Sequence, residues 1–576
     1  MDSLALQTGA EASQSDWEKS AAAVLRKSGR IAEDQADSVV WEKLARRTLD
    51  GIEISPLGTP ELVADLVTGG RPARAGAWDV RAVYAETDGA AARAAILADL
   101  ENGVTSVLLE MGAQGLPVAE LATALEGVLL DVAPVVLDAP REELAAAQAF
   151  AAIARGTTLA AGTNLGADPI GAHIRGYGGV EMSSVAAVAA IATELGCRAL
   201  VADGSALHDR GASDVQELGY TLAVATSYLR FLVGAGYGVD DAAALIELRL
   251  AATDEQFPTI AKFRAVRRLW ARVLELSGAV PHESAVHAVT SRPMMTKYDP
   301  WVNMLRTCVA AFAAGVGGAD AVTVLPFDAE LGLPDAFSRR IARNTSALLI
   351  DESHVAKVTD PAGGSYMVEK LTDDLAVAAW AEFGELDAAG LADAGGALRE
   401  RVEAIAAERE AQVAKRKRPI TGISEFPNLH ESLPERRPYA ESRPTVTAYA
   451  QAFEALRDAP VAEPVFLATM GTVAEHTARA TFASNLFAAG GIDVVNEGRH
   501  DDVDAVLAHY RGERVVCLTG TDAAYAEWGT SLAAALREGG AQYVIVAGKP
   551  LDGADDNCAM GLDALDFLHR TREKLA

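Results

Sequence analysis

Three histidines and one loop hold most of the chemistry this chain could offer. The loop reads Met470-Gly471-Thr472-Val473-Ala474-Glu475-His476-Thr477-Ala478-Arg479-Ala480; it follows a short apolar strand at 465–469 and opens a helix that runs to Gly490-Gly491. Loops at the carboxyl ends of strands are where open α/β sheets place their ligands, so His476 is the first candidate for a metal or cofactor. A ligating imidazole needs a hydrogen-bond partner on its other ring nitrogen to fix tautomer and orientation. The second candidate is His208, in Ser205-Ala206-Leu207-His208-Asp209-Arg210. The third, His287, sits between Val286 and Ala288, and a lone histidine among apolar neighbours reads as a satisfied core residue. The four cysteines, Cys197, Cys308, Cys517 and Cys558, form no C-x-x-C and suggest neither zinc nor redox work, only a reduced interior.

Two repeating patterns must position these residues. From about 78 to 370, short apolar runs alternate with longer helical ones: strands are expected at 106–110, 134–138, 158–161, 198–202, 285–290 and 321–325, and helices at 89–102, 118–132, 142–155, 184–196, 215–234 and 300–315. Repeated βα units give parallel strands with right-handed crossovers, and some 300 residues of them favour a closed (β/α)8 TIM barrel. Six strands are assigned and two are left to find. Residues 463–576 alternate again, with strands at 465–469, 492–495, 514–518 and 543–547 and helices at 474–489, 502–510, 522–538 and 561–575, the pattern of a flavodoxin-like, doubly wound α/β domain. The expected organisation is an N-terminal helical arm at 1–50, the barrel at 51–418, an extended linker rich in Pro, Glu and Arg at 419–462, and the second α/β domain at 463–576. The arm places Trp17, Ala21, Ala22, Leu25 and Ile31 at helical spacing.

At 576 residues the chain exceeds what one core supports. A formal charge of −29 argues against a nucleic-acid surface, which needs clustered Lys and Arg. The run Lys415-Arg416-Lys417-Arg418 fits the last turn of the charged helix at 390–418, where the macrodipole favours cations. No basic segment followed by an apolar core opens the chain, and no uninterrupted apolar run is long enough for a membrane span, so a cytoplasmic protein is expected.

Several stretches resemble one family, the adenosylcobalamin-dependent methylmalonyl-CoA mutases. Asp360-Pro361-Ala362-Gly363-Gly364-Ser365-Tyr366-Met367-Val368-Glu369 matches Asp-Pro-Trp-Gly-Gly-Ser-Tyr-x-Val-Glu, and Phe337-Ser338-Arg339-Arg340-Ile341-Ala342-Arg343-Asn344-Thr345 matches Phe-Ser-Ala-Arg-Ile-Ala-Arg-Asn-Thr. The spacing of Arg306-Thr307, Gly317-Gly318 and Leu333-Pro334 agrees, and the similarity spans roughly 40–576. The resemblance implies a substrate-threading barrel joined to a cobalamin-type domain, and it supplies the family's site positions for comparison.

Those positions are largely vacated. The family's cobalt-ligating loop is Asp-x-His-x-x-Gly; with His476 in the histidine place, Ala474 replaces the aspartate and Arg479 the glycine, and the alternative register puts Glu475 and Val473 in the histidine and aspartate places. The histidine that donates to the thioester carbonyl, in Gly-Tyr-His-x-x-Glu-Ala-Gly-Ala, becomes Ala206, with His208 two residues on along a segment read as extended. The substrate-side tyrosine of Trp-Thr-Ile-Arg-Gln-Tyr-Ala falls on Val83, with Tyr84 one place late, and one residue reverses the face of a strand. The polar run Arg-Thr-His-Ser-Gln becomes Ala285-Val286-His287-Ala288-Val289, the family's Ser-x-Leu becomes Thr519-Gly520-Thr521, and its Gly-Gly becomes Gly548-Lys549.

The expectation is therefore that no residue of this chain is catalytic, cofactor-binding or metal-ligating. The resemblance then implies the non-catalytic small subunit of a heterodimeric mutase. Its large partner would bind adenosylcobalamin and interconvert (R)-methylmalonyl-CoA and succinyl-CoA, with no nucleic acid and no membrane involved. Two alternatives stand beside it: an enzyme with its own activity, either an atypical acyl-CoA mutase or an acyl-CoA-binding catalyst using His208 or His287, and a CoA-ester-binding regulatory module.

Overall fold

In a computed structural model, residues 13–66, 72, 74–280, 284–440 and 443–576 are described, without the side chains of 391–395. Eight parallel strands close into a barrel: β1 Asp79–Tyr84, β2 Ser106–Glu110, β3 Val135–Asp138, β4 Asn164–Ala167, β5 Arg198–Asp203, β6 Ile246–Ala252, β7 Ala285–Thr290 and β8 Ala321–Thr323, in sequential order with β8 pairing back onto β1. The fold expected from the periodicity is the fold present.

The two strands left to find are β1 and β6. Both carry charge at alternate positions, Asp79 and Arg81 in one and Glu247 and Arg249 in the other, so neither reads as a plain apolar run. The expected strand at 158–161 is a correction: that segment is loop, and β4 lies at Asn164–Ala167. Its Asn-Leu-Gly-Ala sequence has weak strand propensity, but the barrel demands it. Asn164 donates to Leu200 O across the ladder, and Gly166 adopts φ +70° where a Cβ would lie 1.7 Å from Leu137 O. The helix expected at 118–132 shortens to a 3-10 turn, Val118–Glu120, and Leu121–Ala124, because Gly127 turns the chain at φ +90°.

Outward-facing residues of the strands pack under the helices in one large apolar core that includes Trp78, Leu109, Leu137, Leu200, Leu248 and Trp270. Longer helices, Asp214–Gly234, Gln256–Leu276 and Tyr366–Ala389, wrap the outside. The N-terminal arm folds on itself: helix Gln14–Lys27 and the turn of helix Val40–Leu44 share a small cluster of Ala22, Leu25, Ile31 and Val40, with Trp17 and Trp41 at 4.6 Å.

The second domain is a five-stranded parallel sheet, β9 Val465–Thr469, β10 Val494–Val495, β11 Val515–Thr519, β12 Tyr543–Ala547 and β13 Asp556–Cys558, in the order β10-β9-β11-β12-β13. The strand β13 escapes the sequence pattern because it is three residues of Asp-Asn-Cys. The segment expected as an extended linker is extended only in part, since Gln451–Asp458 is a helix that buries Phe453, Leu456 and Arg457. At this seam Arg457 stacks 3.9 Å over Tyr298, whose hydroxyl donates to Asp458 at 2.7 Å. All four cysteines are free. Among the described residues no helix is long and apolar enough to cross a membrane.

Candidate functional site

Ligands of such barrels bind at the carboxyl ends of the strands. Here the inward positions below that end are filled by charge. Arg81 on β1 donates to Glu247 on β6 at 3.0 Å and to Ser106 on β2 at 3.2 Å. Arg249, two residues along β6, reaches Asp203 at the end of β5 (3.2 Å) and Asp138 at the end of β3 (3.4 Å), while Arg175 donates to both oxygens of Asp138 at 2.8 and 3.1 Å. Burial alone would raise the Asp138 carboxyl, but Arg175 and then Arg249 overcome it and hold the group below the usual carboxylate range. Arg81–Glu247 and Arg249–Asp138 each join strands that are not neighbours and so cross the barrel interior, whereas Arg249–Asp203 joins register partners on adjacent strands.

His287 belongs to this network and is fully buried. Its Nδ1 accepts from Arg249 Nε at 3.2 Å, and Nε2 lies 2.8 Å from Thr323 Oγ1. Because a guanidinium can only donate, Nδ1 is the bare nitrogen and the proton sits on Nε2. Burial, followed by the charges of Arg81 and Arg249, pushes the imidazole well below its ordinary value, so it stays neutral. Asp168 follows β4; its Oδ1 accepts from the Tyr228 hydroxyl at 2.5 Å and from Gly171 N at 3.0 Å. Burial, reinforced by the nearby charge of Asp203, pushes this carboxyl up to about 7.

His208 lies in a helical turn, Ser205–His208, not in the extended segment expected, because Gly204 takes helical angles and Asp203 Oδ1 accepts from Ser205 N. Its Nε2 is 2.7 Å from Ser291 Oγ and its Nδ1 3.5 Å from Glu217. Burial would raise Glu217, but Lys262 at 2.8 Å and His208 outweigh it and hold the carboxyl at about 2. Serine, histidine and glutamate thus stand in the order of a nucleophile, base and orienting group. All three are buried, however, Ser291 Oγ also accepts from Met294 N, and the Tyr449 hydroxyl lies 3.5 Å from His208 Nε2. The set ties the turn Ser205–His208, helix Asp214–Gly234 and the loop after β7 together and presents no nucleophile to solvent. Tyr84 points outward from β1 to Asp99 on helix Gly89–Leu100, at 3.2 Å, as the one-residue offset implies.

In the second domain, helix Val473–Ala489 begins immediately after the β9 loop, where Thr472 N and Oγ both donate to Glu475 at 2.7 Å. His476 therefore lies inside the first turn, buried, with Nδ1 3.2 Å from Gly471 O. One turn further, Arg479 reaches across the carboxyl ends of β11 and β12. It donates to Gly520 O at 2.8 Å, pairs with Asp522, and lies 5.0 Å over the Tyr525 ring. A Cβ at Gly548 would come within 3.2 Å of its Nη1. Tyr525 sits at the start of a π-helical turn, Tyr525–Gly529, and its hydroxyl accepts from Gly520 N (2.9 Å) and lies 2.8 Å from Ala547 O. Arg479 and Tyr525 together occupy the space between the β11 and β12 ends. Sequence reasoning marked Arg479 as a lost glycine and Thr519–Thr521 and Gly548–Lys549 as altered; it did not show that the first fills the gap between the other two. Tyr525 carried no signal, because only the widened turn brings it there. No group of His, Cys, Asp and Glu suited to a metal ion occurs among the described residues.

A family profile described as methylmalonyl-CoA mutase matches residues 181–489. A protein of Streptomyces virginiae named methylmalonyl-CoA mutase small subunit is 46% identical, over 98% of this chain and 97% of its own length. The chain belongs to the methylmalonyl-CoA mutase family. A small subunit from Propionibacterium freudenreichii subsp. shermanii is 35% identical over 98% of this chain and 95% of its own. The Escherichia coli protein named methylmalonyl-CoA mutase is 34% identical, but over only 40% of this chain and 33% of its own length. Within the mutase family, then, full-length similarity runs to proteins named small subunit, while this relative shares only part of the chain. In the 285–289 run itself His287 is the one polar side chain, and Arg81, Glu247, Arg249, Asp138 and Asp203 from other strands bring charge into the barrel.

Proposed function

We propose that this chain is the non-catalytic small subunit of a heterodimeric methylmalonyl-CoA mutase. It would support a large subunit that carries adenosylcobalamin and isomerises (R)-methylmalonyl-CoA and succinyl-CoA in the cytoplasm. The relatives named small subunit over nearly the whole length support the assignment. The observation that carries the absence of chemistry is Arg479: it stands where the resemblance puts a glycine, and its side chain fills the cradle between Gly520 and Gly548. A corrinoid does not fit these residues. Ala474 offers no carboxylate, and His476 is enclosed in a helical turn. In the barrel, Ala206 has no donor for a thioester carbonyl, and removing one such donor typically costs a hundredfold or more. Ion pairs across the barrel interior, Arg81 with Glu247 and Arg249 with Asp138, argue against a threaded CoA tail as well.

The role left to the chain is to contribute folded surface to a partner of similar architecture, a low-cost route to a pseudo-symmetric pair. The test is to purify the chain alone and with a large subunit, incubate each with adenosylcobalamin, desalt, and record the absorption spectrum and turnover. Corrinoid and activity are expected only in the complex. A lone chain that retains the corrin band, or turns over substrate at the rate of the complex, refutes the proposal.

A further inference from the structure

The connection between the two domains does more than link them. Its described runs 436–440 and 443–449 cross the barrel's carboxyl-terminal mouth, and each anchor is a loop or strand end on that face. Arg436 pairs with Asp328, which is fully buried, and with Asp335 at 3.2 Å, both beyond β8. Arg437 O accepts from Leu333 N at 2.7 Å, and Gly332 leaves room for that carbonyl, which a Cβ would meet at 2.3 Å. Arg443 reaches Glu110 at the end of β2 (3.3 Å) and stacks 3.7 Å over Tyr439. On the far side of the mouth, Thr447 N donates to Asp209 O after β5, and Tyr449 N donates to Pro293 O after β7, both at 2.8 Å. The Tyr449 ring then lies between Arg409, at 4.8 Å, and His208.

The charge of the two surfaces is complementary. The rim presents Glu110, Asp328 and Asp335, and the crossing chain brings Arg436 and Arg443 to them. Charged groups placed this way fix register and orientation, and the main-chain bonds at 333, 447 and 449 pin the strap on both sides of the opening. We propose that this strap is a built-in cap: an intramolecular contact by which the chain's own arginines and tyrosines occupy the barrel mouth and keep it closed to small molecules. The cap acts within one chain and does not depend on the partner or on whether a corrinoid binds elsewhere.

Hydrogen exchange on the full chain tests this without any ligand. In the wild-type protein, the amides of Leu333, Thr447 and Tyr449 should exchange far more slowly than unstructured peptide. In the Arg436→Ala/Arg443→Ala variant, exchange at those amides and in the loops 205–212 and 291–296 should rise by about tenfold or more, while the amides of β2, β5 and β6 stay slow. Arg436→Lys/Arg443→Lys, which keeps the charge but not the forked geometry, should fall between. Unprotected amides at 447 and 449 in the wild-type chain would overturn the proposal even if the alanine variant failed to fold. A folded alanine variant that exchanges like wild type would overturn it too.

Discussion

Consider the pair Arg81–Glu247, which joins non-adjacent strands β1 and β6 across the barrel interior at 3.0 Å with both side chains almost fully buried. Removing one member of a buried pair leaves the other without its charge partner and typically costs about 3–5 kcal/mol, whereas replacing both by apolar groups can be near neutral. The two halves should not be equivalent. After Glu247→Gln, Arg81 keeps Ser106 and Asp79, at 3.2 and 3.4 Å, so the cost should sit at or below the lower end, about 2–3 kcal/mol. After Arg81→Met, Glu247 keeps only the nearby charge of Arg249 and faces His287 Nδ1 at 3.7 Å, a nitrogen already accepting from Arg249 and unable to donate, so the cost should reach about 3–4 kcal/mol. The double variant Arg81→Met/Glu247→Leu should cost less than the sum of the singles by about 2 kcal/mol or more. Denaturant unfolding followed by circular dichroism, with the transitions of the two domains resolved, measures all three. An Arg81→Met cost below about 1 kcal/mol, the range of exposed pairs, would mean that the barrel interior is wet and open.

Three further outcomes follow from the same geometry. Asp168, pushed up to about 7, holds a proton in the folded state that the unfolded chain releases near pH 4, so it favours folding at low pH and that contribution is lost as pH rises toward 7; Asp168→Asn should remove this downward slope, by up to about 1.4 kcal/mol per pH unit, in stability measured from pH 4.5 to 7.5. His287 has the opposite sign: it stays neutral when folded, so stability falls as acid protonates the unfolded imidazole below about pH 6.5, and His287→Gln should flatten that fall in a urea series from pH 6.5 to 5. Arg479→Ala loses a backbone hydrogen bond and the contact with Tyr525; with its exposed pair to Asp522 discounted, the second domain should lose about 1–2 kcal/mol in a denaturant titration, with little dependence on salt. A strongly salt-dependent loss would show that the ion pair, and not the filled cradle, is what Arg479 provides.

Much of this protein is legible without coordinates. Alternating strand and helix periodicity determines a parallel barrel and a doubly wound sheet, because side-chain repeats of two and of about 3.6 can bury an apolar face in only a few layered arrangements. The motifs around 337–345 and 360–369 point to the family, and Ala206, Ala474 and Arg479 depart from its pattern. A one-dimensional pattern cannot show what took the vacated space. The strands β1 and β6 escape the pattern, and β4 is displaced in it, because barrel closure tolerates inward Asp79, Arg81, Glu247 and Arg249 and an Asn-Leu-Gly-Ala strand where local propensity alone would not place them. The contacts of Arg479 with Gly520 and of Arg436 with Asp328 join residues 41 and 108 apart in sequence. Such pairings exist only once the sheets have formed and brought their carboxyl ends together. The sequence therefore determines the scaffold and where it departs from the family's motifs, and the tertiary structure decides which side chains stand at those places.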